Sequence, residues 1–225
     1  AIRIYGLSPS NENVCLRVND FTPYVYLELP THVYWTEQNA QVLGNRLDQI
    51  MGQKKPIKKR LVMKRKLYGA SYDKDNNPLL YPYLFVSFAH VSEIKILSYK
   101  IAQPLNILGI GMVKLKMHEQ DANPILQMSS ICNLPMAGWI SFKGDHVPDN
   151  ERVTIADHEY TVKYRTMQKL SNDKGVKPTI MSFDIEVNSS NPAKMPDASD
   201  PDDKVFQISC IIAREGDTVF DKYLL

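Results

Sequence analysis

KPTIMSFDIEV, Lys177 to Val187, places two carboxylates in a run of residues otherwise suited to burial. Side chains alternate between the faces of a strand, so residues two apart point the same way. Asp184 and Glu186 therefore share one face, and Phe183, Ile185 and Val187 share the other. With Ile180 and Met181 ahead of them, the strand is expected to be packed on at least one side and to lie centrally in its sheet. Carboxylates so placed need partners, because an unpaired buried charge is costly. A divalent cation meets that need. Two carboxylates on one strand face offer hard oxygen ligands, and in the absence of a His or Cys cluster they select Mg²⁺. In two-metal hydrolysis of phosphodiesters, ions about 3.5–4 Å apart activate a water and stabilise the leaving oxygen, with carboxylates bridging or flanking them. An isolated Asp-x-Glu equally fits a strand whose polar face is merely solvated, so the pair alone does not decide its role.

On either side the composition changes. SNDKGVK, Ser171 to Lys177, is polar and reads as a linker, which places a domain boundary between 1–172 and 173–225. Beyond Glu186 comes a loop rich in Ser, Asn, Pro and Asp, then a strand from Val205 to Ala213 and a third starting near Thr218. These begin an antiparallel sheet.

The N-terminal part shows the opposite alternation of elements. Ile2–Tyr5 and Val14–Val18 read as short strands around the turn SPSNEN, and Pro23–Leu29 as a stronger strand. Thr36 is placed to cap a helix over EQNAQVLGNRLDQIM, in which Val42, Leu43, Leu47, Ile50 and Met51 recur at helical spacing before Gly52. A basic strand at about Ile57 to Leu67, a turn at DKDNNP, an aromatic strand at Tyr81–Phe88, a helix from about His90 to Ile101 and a strand at Gly111–Met117 follow. The order strand, helix, strand, strand, helix, strand is the split βαβ, or ferredoxin-like, arrangement, an α+β layer with both helices on one side of a sheet. Pro124–Asn133 reads as a third helix. RVTIADHEYTVKY, Arg152 to Tyr164, alternates like two short strands joined at Ala156-Asp157.

Charge and composition narrow the function. The 225 residues are 44% hydrophobic, enough for a sizeable core, and no run approaches the roughly 20 apolar residues of a membrane span. The N-terminus AIRIYGL has no basic-then-apolar pattern, so neither secretion nor membrane insertion is expected. Cys15, Cys132 and Cys210 are far apart and fit a reducing compartment. The five histidines show no metal spacing. Net charge is only +2, yet KKPIKKRLVMKRK concentrates Lys58, Lys59, Arg60, Lys64, Arg65 and Lys66 with no acid among them. These residues can follow a nucleic-acid backbone by releasing counterions, or can protect a strand edge from aggregation. Tyr24 with Tyr26, and Tyr83 with Phe85, share faces of neighbouring strands, which admits a rival of another class: a non-catalytic module binding single-stranded nucleic acid on an RRM-like sheet.

SFDIE, a Pro/Asp-rich loop and DDKVFQISCII, with Phe206-Gln207-Ile208 in its strand, together resemble the first exonuclease motif of family B DNA polymerases. IRIYGLSPSNENVCLRVNDFTPYVYLELP, MKRKLYGAS followed by PYLFVSF, and ANPILQMSSICNLPMAGWISF resemble, in order, earlier segments of the same family, in its delta-type and large-DNA-virus branch. The resemblance implies the N-terminal domain followed by the first strands of an RNase H-like 3′–5′ proofreading exonuclease domain. Asp184 and Glu186 match its catalytic, metal-binding carboxylates. It further implies template-directed dNTP addition and editing with two Mg²⁺ ions in the intact enzyme, DNA template and primer as partners, a sliding clamp or other accessory subunits, and action in the nucleus or at a viral replication site. The family's later acidic nuclease motifs and its palm motifs are not found. The chain is accordingly expected to be a segment of a longer protein, inactive by itself.

Overall fold

The computed structural model describes residues 1–66, 70–172, 175 and 177–225, which fall into two compact units, Ala1–Ser171 and Asn172–Leu225. Leu67, expected to end the basic strand, Tyr68 and Gly69 of MKRKLYGAS, and Asp173, Lys174 and Val176 of the expected linker lie outside the described residues. In chain order the first unit contains β1 (Ile2–Leu7), β2 (Asn13–Val18), β3 (Tyr24–Glu28), α1 (Glu37–Met51), β4 (Lys58–Lys64), β5 (Tyr81–Ser87), α2 (Val91–Lys100), β6 (Leu105–Ile107), β7 (Gly111–Val113), β8 (Lys116–His118), α3 (Pro124–Cys132), β9 (Ile140–Ser141), β10 (Gly144–His146), β11 (His158–Val162) and β12 (Gln168–Lys169). The second contains β13 (Thr179–Asn188), β14 (Lys204–Arg214) and β15 (Asp221–Leu224).

Local chemistry explains the long helices. The Thr36 hydroxyl accepts the Asn39 amide at 3.2 Å, satisfying one of the donors that a helix start leaves free. Gly52, at φ +59°, ends α1 in a conformation that a side chain would strain. At the start of α2, the Glu93 carboxylate accepts the His90 amide at 3.1 Å in a capping box.

The larger sheet runs in the order β4-β5-β3-β8 with every pairing antiparallel. Alternation sends Val25, Leu27, Leu84 and Val86 to one face, where they form a single core with Leu43 and Leu47 of α1 and Ile94 and Leu97 of α2. Lys59 also points to this side, its ammonium bonded to the Asp48 carboxylate of α1 and, at 3.2 Å, to the Gly44 carbonyl. One expectation is corrected here. Gly111–Met117 is two strands: β7 folds back on β6 through Gly109 (φ +74°) and Gly111 (φ +99°), and only Lys116–His118 joins the sheet. Val113 and Leu115 are buried on the helix side, so the hydrophobic alternation runs through the break and conceals it.

A second sheet, β1-β2-β11-β10, packs over Leu16, Val18, Met128, Val162 and Met167. Its β2–β11 pairing is parallel, His158 opposite Val14. RVTIADHEYTVKY supplies one strand, not two, because residues 152–157 form a loop wrapped on a carboxylate. Glu159 is fully buried and accepts from Arg17 Nη1 at 3.1 Å, the Val153 and Thr154 amides at 3.2 and 3.1 Å, and the Thr154 hydroxyl at 2.8 Å. Burial opposes its ionisation, and the bonds from Thr154, Val153 and Arg17 outweigh burial, holding the carboxyl below its ordinary range. The stability this contributes is present above the unfolded glutamate range near about 4.3 and is lost as pH falls through the depressed folded value. Glu159→Gln is expected to remove that part of the acid dependence of unfolding, measured by urea titration between about pH 2 and 6; an unchanged pH slope would contradict it.

The second unit is the antiparallel sheet β13-β14-β15, with no helix among its described residues. β13 is an edge strand, with Phe183 58% exposed and Ile185 42% exposed. The expectation of a central, packed strand is thereby corrected: among the described residues of Asn172–Leu225 nothing covers either face. No helix among the described residues is long and apolar enough to cross a membrane.

Candidate functional site

Register turns the second unit into a two-sided sheet. Asp184 faces Ser209 and Glu186 faces Gln207 across β13 and β14, so these four form the polar end of a face that continues through Ser182 and its partner Ile211. Met181, Phe183, Ile185, Ile208, Cys210 and Ile212 alternate to the other. The pairing shifts between Glu186 and Val187: Glu186 is opposite Gln207 and Val187 opposite Val205, leaving Phe206 without a partner in the ladder. Such a bulge twists the strand and re-aims neighbouring side chains. Both carboxylates are exposed, and the Asp184 carboxylate also accepts the Ile185 amide at 3.0 Å. The shared face read from the sequence is present.

The donor set suits a hard cation, since two carboxylates on residues whose Cα atoms are about 7 Å apart along one open strand face offer hard oxygen ligands. It does not complete a site. Among the described residues no group of three or more His, Cys, Asp and Glu converges on a metal position. The acid-rich loop is engaged otherwise: Asp203 accepts the Ser190 amide at 2.6 Å and the Asp197 amide at 2.7 Å. Those amide bonds hold the Asp203 carboxyl below its ordinary range, so this acid acts as a brace for the loop.

In the first unit the six basic candidates separate. Lys58, Arg60 and Lys64 alternate to the face of the larger sheet away from the helices, whereas Lys59 is tied to Asp48. Rings fill the middle of that open face: Tyr24 and Phe85 at 5.2 Å between centroids, Tyr26 and Phe85 at 5.6 Å, Tyr26 and Tyr83 at 6.4 Å. Basic groups lie over them, with Arg60 Cζ 5.6 Å from the Phe85 centroid, Lys64 Nζ 4.2 Å from that of Tyr26 and Lys66 Nζ 4.4 Å from that of Tyr81. Cation–π contacts thus occupy ring faces that base stacking would use. Tyr24 and Tyr83 are themselves buried, at 8% and 5% exposure. The row presents charge outward more readily than rings.

Comparison with known proteins bears on both units. A family model described as DNA polymerase family B, exonuclease domain, matches residues 115–225, a span that begins within the first unit. DNA polymerase 037L of Invertebrate iridescent virus 6 is 35% identical over the whole chain, and DNA polymerase 120R of Invertebrate iridescent virus 3 is 37% identical. The chain spans only 19% and 21% of the length of these two relatives. The DNA polymerase of Acanthamoeba polyphaga mimivirus is 27% identical over 96% of the chain, which covers 13% of it. In three dimensions, the family B DNA polymerase of the archaeon Pyrobaculum calidifontis superposes with a TM-score of 0.58 over 98% of the chain and 24% of that enzyme, at 14% identity; this last likeness concerns fold alone.

Proposed function

We propose that the chain is part of a family B DNA polymerase: the N-terminal domain, 1–172, and the opening of the 3′–5′ exonuclease domain, 173–225, of a replicative polymerase that extends DNA from dNTPs and edits its errors. One observation carries the nuclease part. Asp184 and Glu186 stand on the polar face of β13, beside a bulge, inside the segment that matches the exonuclease-domain model. In this reading they are catalytic metal ligands, and Mg²⁺ ions held there would activate the attacking water and stabilise the leaving oxygen of a phosphodiester. The chain's own part is to hold two carboxylates on a stiff, paired strand with Ser209 and Gln207 alongside. The apolar reverse face of the same sheet is then the surface on which the remainder of an RNase H-like domain packs.

The strand order β4-β5-β3-β8, all antiparallel with α1 and α2 in one core, supports a ferredoxin-like N-terminal domain. The proposed partners are template and primer DNA, with a sliding clamp or other accessory subunits, in a host-cell replication site as for a large DNA virus. Sequencing the gene beyond the Leu225 codon tests the assignment. Further acidic nuclease motifs and a palm are expected; a stop codon directly after Leu225 would overturn it in favour of a stand-alone nucleic-acid-binding module.

Lys58, Arg60, Lys64 and Lys66 are the residues proposed to meet DNA phosphates from the first unit, with Arg65 exposed beside them and Lys59 excluded by its pair with Asp48. Replacing Arg60 and Lys64 by glutamine is expected to reduce the salt slope of single-strand binding by roughly 1.4, at about 0.7 per phosphate contact. Lys59→Gln should leave the slope unchanged, and equal effects from both variants would contradict the assignment.

A further inference from the structure

The open face of the larger sheet is basic on both sides, and its second side forms a cleft. Past Val113 the chain alternates Leu115 into the core and Lys114, Lys116 and His118 outward. Lys116 lies directly opposite Glu28 across the β3–β8 pair. The turn after β3, at Pro30–His32, closes one side, and Lys66 reaches over from beyond β4, bounding a cleft of about 270 Å³. Inside it the single acid is already neutralised. Glu28 Oε1 is 2.5 Å from Lys66 Nζ, and Oε2 is 2.8 Å from His118 Nε2. Lys114 bonds the Ala102 carbonyl, and no carboxylate among the described residues pairs with Lys114 or Lys116. Lys114, held by that carbonyl, and Lys116 therefore both line a concave, open space in which neither is ion-paired among the described residues.

We propose that this cleft binds a phosphate group, carried either by a single DNA strand crossing the sheet from Arg60 and Lys64 or by a free nucleotide polyphosphate. Three lysines around one paired carboxylate leave a net positive charge, and ammonium groups bind phosphate as point charges. The volume suits a phosphate with its sugar. Lys66 stands between the two basic rows, over Tyr81 and against Glu28, so an anion in the cleft competes with Glu28 for its ammonium. The choice of a nucleotide phosphate as ligand rests on the reading of the chain as part of a DNA polymerase; the cleft's charge does not.

The test measures binding of the 225-residue chain to a fluorescein-labelled oligothymidylate of about 12 nucleotides by anisotropy between about 50 and 200 mM NaCl. Sodium triphosphate serves as competitor. Lys114→Gln with Lys116→Gln is expected to weaken strand binding about 10-fold at the low-salt end and to lower the salt slope by roughly 1.4. Both lysines are exposed, and an unchanged unfolding midpoint verifies that the double variant is folded. Lys95→Gln with Lys100→Gln on α2 removes the same charge elsewhere and should change affinity less than about 2-fold. Loss of triphosphate competition with strand binding unchanged would keep the phosphate site and assign it to the free nucleotide. Unchanged affinity for both probes, an equal effect of the α2 pair, or no binding of either probe by the unmodified chain would overturn the proposal. None of these outcomes depends on Asp184 or Glu186, so the cleft and the nuclease assignment fail separately.

Discussion

Leu27→Ala is expected to destabilise the first unit by about 2–5 kcal/mol, whereas Phe183→Ala in the second should cost less than about 1 kcal/mol. By residue size alone the order would be reversed. Leu27 is 0% exposed, enclosed by the larger sheet and both of its helices, so truncation leaves a cavity that the fixed helices cannot close. Phe183 is 58% exposed, and its ring gains little transfer free energy from the sheet it stands on. Trp35 and Trp139 both belong to the first unit, so tryptophan fluorescence in urea reports that unit, while amide exchange in β13, β14 and β15 reports the other. A cost at Phe183 as large as that at Leu27 would show that the apolar reverse face is covered. In a longer enzyme whose nuclease domain packs on that face, the same Phe183→Ala should rise to about 3–5 kcal/mol.

The 225-residue chain alone is expected to digest a 3′-labelled single strand in Mg²⁺ at least about 10³-fold more slowly than the full-length gene product, a difference of roughly 4 kcal/mol in activation free energy. The reason is ligand number. Two metal ions need more than two carboxylates, and Asp184 and Glu186 converge with no third acid among the described residues. Partial occupancy of such a face can bind a cation weakly without fixing water and phosphodiester in line. Release of labelled nucleotide over time, with and without Mg²⁺, measures the effect. Metal-dependent digestion by the short chain at a rate near that of the long one would show that the pair is already a whole site.

What could be read from the sequence follows the range of the forces involved. The start and end of α1 are written locally, in the Thr36 cap and in Gly52, and the shared face of Asp184 and Glu186 follows from strand geometry alone. The break between Val113 and Lys116 was hidden because an unbroken apolar alternation continues across it. The loop at 152–157 looks like a strand until Glu159 is seen to collect its amides, an interaction anchored by Arg17 at 142 positions' distance in the chain. The parallel pairing of β11 with β2 is equally non-local, and no turn residue signals it. The apolar composition of β13 records what the strand is suited to pack against, and the described residues of the second unit supply no such layer. Lys59 was indistinguishable in sequence from Lys58 and Arg60; only alternation on a placed strand sends it to Asp48.

The central assignment is tested most directly by excision of a mismatched 3′ terminal nucleotide by the full-length gene product carrying Asp184→Ala and Glu186→Ala, in Mg²⁺ and without dNTPs. Excision falling by about 10³-fold or more, with dNTP incorporation on a matched primer retained, is the predicted result; excision at the unmodified rate would contradict it.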